Sequence, residues 1–198
     1  MPISCKKNKL EYKFGGQIVG SLTGAPVSGV TVILSQKVLT NGVVLDYMFA
    51  GSDNTDSNGS FDITIDREKA TAFLLKFEKD NYFPLIIEET SANVTTDEVN
   101  LYNKKLEPLS WVTFKIKNFF PTDDDHFRFI THTFREGCDG CAVNSSINYY
   151  GELDTTFTYL TTPGEYVKFT YINVTTGFSK YDSVYTAPFE NFVYEIEY

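Results

Sequence analysis

Two cysteines three residues apart, Cys138 and Cys141, are the sharpest chemical feature of the sequence. Such a pair can be a redox couple, half of a zinc site or a tight disulfide. Redox catalysis favours a cysteine at a helix N-terminus, and no helical pattern follows this pair. Structural zinc needs four ligands, which His126 and His132 would complete. The sequence predicts a loop disulfide or a pair of free thiols, with zinc and redox chemistry as alternatives.

Three consecutive carboxylates, Asp123, Asp124 and Asp125, follow Pro121-Thr122 in a predicted loop. Carboxylate oxygens are hard ligands that suit Ca²⁺. The stretch lacks the fuller spacing of a calcium-binding loop, and a run of charges is usually solvated surface. We predict a solvated loop here, with a calcium site as the alternative.

Motifs of hydrolases and nucleotide-binding enzymes are absent from the sequence. It contains no Gly-x-Ser-x-Gly elbow, no His-Glu-x-x-His and no phosphate-cradling glycine loop. The two histidines lie in one segment, which leaves few Ser–His or Cys–His arrangements. We therefore expect a protein that is not an enzyme and that carries no cofactor.

The chain is acidic, with a formal net charge of −9 and a pI near 4.7. Phosphate contact needs clustered Lys and Arg, so nucleic acid is an unsuitable partner. The 6 Lys/Arg and 13 Asp/Glu after residue 105 supply −7 of this charge. No apolar run approaches the roughly 20 residues that span a bilayer.

Alternating apolar residues predict strands throughout the chain. Aromatic residues make up 16% of it, and they favour strands because they fit a pleated, half-buried surface. The segments 61–65 and 112–116 both alternate apolar with polar residues. Only Asp66–Ala70 has the character of a helical turn.

The sequence predicts an all-β protein of two tandem antiparallel, Ig-like β-sandwiches with little or no helix. Pro108 disfavours a helix in the segment 106–110. The predicted organisation is a tail (1–13), a first sandwich (14–105), a linker (106–110) and a second sandwich (111–198).

Four ordered blocks in residues 14–104 resemble the carboxypeptidase regulatory-like domain. The blocks are Gly16-Gln-Ile-Val-Gly20, Gly24-Ala-Pro-Val-Ser-Gly29-Val-Thr-Val-Ile-Leu34, Thr55-Asp56-Ser-Asn-Gly59-Ser-Phe61-Asp-Ile63 and Lys76-Phe77-Glu-Lys-Asp-Asn-Tyr82. The resemblance implies a transthyretin-like sandwich that serves as a non-catalytic accessory module of peptidases, transporters or surface lipoproteins. In the third block, Asp56 is expected to cap backbone amides and Gly59 to take a positive φ. The second half resembles no family by its motifs.

The N-terminal Ser4-Cys5-Lys6-Lys7 looks like the end of a bacterial lipoprotein signal, in which the cysteine carries the lipid. Only residues 1–4 precede Cys5 here, so lipidation is expected if an apolar signal segment precedes it in the precursor. The alternative is a polar tail with an incidental cysteine. A lipid on Cys5 would be the protein's only link to a membrane.

The sequence thus predicts a non-catalytic accessory module that binds a partner protein or a glycan. We expect it to be exported, either as an outer-membrane-anchored lipoprotein or as a periplasmic or cell-surface protein. One alternative is a structural adhesin or pilus-like subunit, which Lys–Asn crosslinks would favour. A second alternative is a calcium- or zinc-dependent binding protein.

Overall fold

A computed structural model of the chain describes residues 10–133 and 135–198, so Cys5 lies outside the described residues. The chain divides into two compact units, Met1–Glu107 and Pro108–Tyr198. The only helical element of the described part is a short 3-10 turn, Ser91–Asn93. Nowhere in that part is there a helix with the length and apolarity to cross a membrane. The predicted all-β fold class is confirmed.

The first unit is a sandwich of two sheets. Its strands are β1 (Glu11–Gly20), β2 (Thr31–Thr40), β3 (Val43–Val44), β4 (Met48–Asn54), β5 (Ser60–Asp66), β6 (Ala70–Glu78), β7 (Leu85–Thr90), β8 (Val99–Leu101) and β9 (Lys104–Leu106). One sheet has the order β5-β1-β8, with β9 also paired to β1. The other has the order β3-β2-β6-β7, with β4 also paired to β2.

The core of the first unit follows from the period-two alternation of its strands. In β5 the apolar Phe61, Ile63 and Ile65 are buried while the residues between them are exposed. Phe14 of β1 and Phe73 of β6 meet across the two sheets at a centroid distance of 5.2 Å. Burial of these aromatic side chains is the main source of stability for such a sandwich.

The tight turn between β4 and β5 has the chemistry that its sequence predicts. The Asp56 carboxylate accepts hydrogen bonds from the amides of Asn58 and Ser60, both at 2.8 Å. Gly59 has φ of 73°, and its carbonyl accepts from the Ile18 amide at 2.8 Å. The buried Thr55 hydroxyl, next to this turn, donates to the Val27 carbonyl. The turn is therefore tied to the first strand as well as to its own backbone.

The segment Asp66–Ala70 is extended, so the expected helical turn is wrong. The amide of Arg67 donates to the Leu10 carbonyl at 3.0 Å, and the Lys69 carbonyl accepts from the Leu39 amide at 2.8 Å. These partners lie on other parts of the sandwich, and they hold the connection between β5 and β6 open. Tertiary hydrogen bonds override the local helical preference here.

The second unit also has two sheets. Its strands are β10 (Ser110–Lys117), β11 (His126–Thr131), β12 (Ser145–Tyr150), β13 (Asp154–Thr161), β14 (Tyr166–Asn173), β15 (Phe178–Tyr185) and β16 (Asn191–Glu197). One sheet has the order β13-β10-β16 and the other β12-β11-β14-β15. Leu106 ends β9 and Ser110 begins β10, so only residues 107–109 separate the strands of the two units.

Phenylalanine rings form the core of the second unit. Phe114 of β10 is fully buried and lies 4.7 Å from Phe129 and 4.8 Å from Phe169, centroid to centroid. Both partners belong to the opposite sheet, and the contacts are edge-on, the favourable geometry for aromatic pairs. Phe129 and Phe169 therefore lie on the inward side of the four-stranded sheet, and the other side of that sheet faces solvent.

Candidate functional site

The solvent side of the four-stranded sheet β12-β11-β14-β15 is the candidate site, and we call it the tyrosine face. Residues paired across neighbouring strands share one side of a sheet, so the partners of buried residues point inward and the alternate residues point outward. The outward residues are Ser146, Asn148 and Tyr150 of β12, His126, Arg128 and Ile130 of β11, Tyr166, Lys168, Thr170 and Ile172 of β14, and Ser179, Tyr181, Ser183 and Tyr185 of β15.

Tyrosines dominate the exposed area of this face. Tyr150, Tyr166, Tyr181 and Tyr185 are 69%, 58%, 60% and 51% exposed. Tyr150 lies on one edge strand of the sheet, and Tyr181 and Tyr185 lie on the other. Strands are spaced about 4.8 Å apart, so these edges are separated by about 14 Å. Aromatic rings thus stand on both borders of this side of the sheet.

A hydrogen-bonded group occupies the β11–β12 side of the tyrosine face. The Asn148 side-chain oxygen lies 3.0 Å from Arg128 Nε and 2.9 Å from His126 Nε2. The His126 ring stacks on Tyr150 at a centroid distance of 4.5 Å and an interplanar angle of 20°. One amide therefore holds two basic side chains, and one of these supports an exposed aromatic ring.

A second group occupies the β14–β15 side. His132, just beyond β11, places Nε2 2.8 Å from the Thr170 hydroxyl, and its ring lies 5.8 Å from that of Tyr181. Tyr166 and Tyr185 meet edge-on at 5.5 Å. The tyrosines here are held by ring contacts, so a ligand would meet pre-positioned rings.

The tyrosine face carries no carboxylate among its outward residues, although the chain has 26 Asp and Glu. The solvent side of the opposite sheet, β13-β10-β16, is different. There Lys115 pairs with Glu195 at 3.0 Å and Lys117 with Asp154 at 3.3 Å. Paired charges of this kind make an ordinary solvated surface. The two sides of the second unit therefore differ in both charge and aromatic content.

The cysteine pair lies away from the tyrosine face, in the loop between β11 and β12. Cys138 and Cys141 form a disulfide with a Cα–Cα distance of 5.5 Å. The loop is attached to β13 because the Leu160 amide donates to the Gly140 carbonyl at 2.9 Å. A disulfide has no thiolate to offer a metal, so the Cys2His2 alternative does not fit this arrangement.

Removal of this disulfide should cost a moderate amount of stability. The ring it closes is small, so the chain-entropy relation gives about 2 kcal/mol. We expect the variant Cys138→Ala/Cys141→Ala to lose about this much free energy of unfolding in denaturant titrations. Wild-type protein with a reductant should match the variant, and equal stability of the oxidised and reduced wild type would contradict the assignment.

In the acidic loop, the Asp125 carboxylate is used in local hydrogen bonds. The Asp125 carboxylate accepts from Asn118 Nδ2 at 2.7 Å and from the Thr122 amide at 2.8 Å. These hydrogen bonds lower the pKa of Asp125, and the one from the Thr122 amide has the largest effect. Across residues 10–133 and 135–198 no group of three or more His, Cys, Asp and Glu side chains is arranged to hold a metal ion. Within these ranges, Asp123, Asp124 and Asp125 are therefore not part of such a group.

A second cluster of titratable groups joins the edges of the two sheets of the second unit. Lys180 Nζ lies 2.8 Å from Asp182 Oδ2 and 3.1 Å from the Tyr194 hydroxyl. The hydrogen bonds from Lys180 and then Tyr194 lower the pKa of Asp182 to about 2. Burial, followed by the hydrogen bond to Asp182, raises the pKa of Tyr194 to about 12. The hydrogen bond to Asp182 is the main cause that raises the pKa of Lys180.

This cluster should make stability depend on acid pH. The fold favours ionised Asp182, so its contribution is complete above the ordinary pKa near 3.8 and is lost as the pH falls toward 2. We expect Asp182→Asn to be less stable than wild type at neutral pH and to lose less stability between pH 4 and pH 2. Urea titrations across this range measure both slopes, and identical slopes would show that Asp182 is not coupled to folding.

The tyrosine face was not among the sites that the sequence predicted. Its tyrosines come from three strands, and their common side depends on the register between those strands. Tyr149 and Tyr150 are adjacent in sequence, yet Tyr149 is half-buried and Tyr150 is exposed. The high tyrosine content of the second half was the only signal of a binding surface.

Comparisons with known proteins assign no family to the chain. No protein-family model matches the sequence, and no curated protein matches it. The resemblance of residues 14–104 to the carboxypeptidase regulatory-like domain therefore stays a prediction.

Solved structures match at low identity. The shaft pilin SpaA from Lactobacillus rhamnosus GG is 11% identical, with 94% of this chain and 96% of the pilin covered and a TM-score of 0.37. The Bacillus anthracis TIE protein is 10% identical, with 95% and 34% covered and a TM-score of 0.34. The 3-chlorocatechol 1,2-dioxygenase from Rhodococcus opacus 1CP is 19% identical, with 48% and 49% covered and a TM-score of 0.33. Similarity at this level assigns no function to the chain.

Proposed function

We propose that this chain is a non-catalytic, exported binding protein and that its tyrosine face binds a glycan. The proposal rests on the four exposed tyrosines on one side of a sheet. A sugar ring has an apolar face of C–H groups and a rim of hydroxyls. Tyrosine rings can stack against the first, and the Ser, Thr and Asn side chains between them can hydrogen-bond the second.

The composition of the face favours a glycan over a protein ligand. All of its exposed large hydrophobic residues are tyrosines, while its two aliphatic residues, Ile130 and Ile172, are half-buried. A protein interface normally has a more apolar centre. On the two central strands, Arg128 pairs with Ile172 and Thr170 pairs with Ile130. The centre is therefore mixed rather than apolar, and its polar and charged side chains suit a hydroxyl-rich ligand.

A protein partner is the second candidate, and an apolar edge in the first unit favours it. β3 and β4 lie on the edge of the five-stranded sheet and expose Val43, Val44, Met48 and Phe49. Exposed apolar edges are sites of strand addition and protein contact. In pull-downs from native membranes, the Phe49→Asp variant should no longer capture the specific partner protein. The Tyr181→Ala variant should still capture it.

The Lys180–Asp182–Tyr194 cluster does not suit acid–base catalysis near neutral pH, in line with the non-catalytic part of the proposal. The shifts move all three pKa values farther from 7: that of Asp182 falls to about 2, that of Tyr194 rises to about 12, and that of Lys180 rises. A general acid or base works best with a pKa near the working pH. The contacts stabilise the protonation states that the three side chains have at neutral pH. The cluster therefore links the edges of the two sheets by polar contacts.

Export is supported by the disulfide, because disulfides persist in oxidising compartments outside the cytosol. Anchoring through Cys5, and with it an outer-membrane location, remains a prediction. Mass spectrometry of the mature protein from native membranes tests it through the lipid on Cys5. An unmodified Cys5 in membrane-free protein would leave export intact and remove the anchor.

Binding to a panel of neutral and acidic oligosaccharides by calorimetry tests the glycan function. Loss of one stacking ring should weaken binding about fivefold to tenfold in Tyr150→Ala or Tyr181→Ala. Phe49→Ala, which removes an equally exposed ring from the first unit, is the matched control and should bind as wild type. A panel without any ligand, or equal effects of all three variants, would overturn the proposal.

The adhesin or pilus-like alternative makes a different prediction for the intact mass. A Lys–Asn crosslink releases one ammonia and needs a desolvated amine beside the amide. Every described lysine is exposed or half-buried. We therefore expect the mass of the chain less two hydrogens for the disulfide, and a further loss of one ammonia would favour the structural alternative.

A further inference from the structure

The guanidinium of Arg128 is oriented by a neutral partner. Its Nε donates to the Asn148 side-chain oxygen at 3.0 Å, which leaves the two terminal amino groups as donors. Within the described part of the chain, no carboxylate pairs with Arg128 or Lys168 within 4.0 Å. An arginine of this kind keeps its charge and its planar fork for a ligand.

The same amide determines the protonated nitrogen of His126. Arg Nε can only donate, so the atom of Asn148 that faces it is the oxygen. The same oxygen lies 2.9 Å from His126 Nε2, so this nitrogen also donates and carries a proton. Neither basic side chain can turn toward the other without loss of its acceptor. Asn148 thus orients a pair of donors beside the stacked ring of Tyr150.

The second cation of the face, Lys168, lies farther along the sheet. Arg128 pairs with Ile172, and Lys168 lies four residues from Ile172 on β14. With a strand rise of about 3.4 Å per residue and a strand spacing of about 4.8 Å, the two cations are about 14 Å apart. Tyr150 borders the first cation, and the Tyr166–Tyr185 pair borders the second. The arrangement suits an extended ligand with more than one charge.

We infer that the glycan bound by the tyrosine face is an acidic oligosaccharide, with one sugar carboxylate on the terminal amino groups of Arg128 and another near Lys168. This rests on the proposed glycan-binding function and names its ligand class. Charge complementarity carries it, because this face has cations and no carboxylate on a chain of net charge −9. Such a chain repels polyanions elsewhere, so an anion is directed to this face.

Nucleic acid is the less suitable polyanion. Its binding requires a continuous track of cations, since each contacted phosphate needs one. The tyrosine face offers two permanently charged side chains separated by about 14 Å. Sugar carboxylates on an uncharged ring skeleton match this lower charge density.

A pair of probes with the same sugar rings but different charge provides the test. Oligogalacturonate and its fully methyl-esterified form present the same sugar rings with and without carboxylates. We expect the full chain to bind the acid form at least tenfold more tightly at low salt, with the difference reduced at high salt. Equal binding of both forms, with weaker binding of both by Tyr150→Ala, would contradict the inference but leave the glycan function standing. Binding of neither these probes nor the other oligosaccharides would sink both, and tighter binding of oligo-dT would assign the face to nucleic acid.

Three variants locate the effect. Arg128→Lys keeps the positive charge but removes the planar guanidinium. It should weaken binding of the acid form at least threefold and leave binding of the ester unchanged. Asn148→Asp preserves the shape and the acceptor of the amide and places a carboxylate against Arg128, so it should remove the preference for the acid form. Lys115→Ala deletes an equal charge from the opposite sheet and should leave the preference intact. A preference that survives Asn148→Asp would show that Arg128 is not the recognising group.

Discussion

Replacement of Gly59 by alanine is expected to destabilise the first unit by about 3 to 5 kcal/mol. Gly59 has φ of 73°, a conformation that costs an L-residue about 1 to 2 kcal/mol. A Cβ at this position would lie 2.3 Å from the Ile18 carbonyl oxygen. Since this contact is with backbone, the turn and β1 must separate, and the Ile18–Gly59 hydrogen bond is lost. Amide hydrogen exchange of β1 and β5 measures the loss.

Gly24→Ala is the matched control for this experiment. Gly24 has a similar φ of 67°, but nothing lies within 4 Å of the place that its Cβ would occupy. It should therefore cost only the conformational part, about 1 to 2 kcal/mol. Equal losses in the two variants would show that the close approach of Gly59 to β1 has no energetic role.

Phe114→Ala should destabilise the second unit by about 3 to 5 kcal/mol, the usual cost of removal of a buried ring. Phe114 is fully buried between Phe129 and Phe169 of the other sheet, and the rigid strands around it cannot close the cavity. The only tryptophan, Trp111, lies in the same strand. Its fluorescence during denaturant titration therefore reports unfolding of this unit.

Phe120→Ala provides the control for Phe114→Ala. This ring is 89% exposed, so its removal should change the unfolding free energy by no more than about 0.5 kcal/mol. A loss below about 1 kcal/mol in Phe114→Ala would contradict the packing of the second core.

Local patterns predicted the strands well because burial and alternation are visible in the sequence. Phe61, Ile63 and Ile65 alternate with polar residues and all point into the first core. Val112, Phe114 and Ile116 do the same in the second. The turn at Asp56 and Gly59 was also predictable, since its residues supply a backbone acceptor and a positive φ within a few positions.

Long-range register decided what the sequence did not predict. The tyrosine face joins Tyr150 to Tyr181 across four strands. In each of the three strands that carry a tyrosine, a shift of one residue would turn that tyrosine inward. The Lys180–Tyr194 contact depends on edge strands of two different sheets. The segment 66–70 has helix-forming residues, and distant backbone partners hold it extended. In each instance the deciding partner is remote in sequence.

Titration of ¹⁵N-labelled full-length protein with oligogalacturonate, followed by amide chemical shifts, tests the central claim most directly. We predict that the shifts concentrate in residues 126–132, 146–150, 166–172 and 179–185, with the largest changes near Arg128 and Asn148. The opposite sheet, including Lys115 and Glu195, should remain unchanged. Shifts confined to that sheet or to the first unit would contradict a ligand on the tyrosine face.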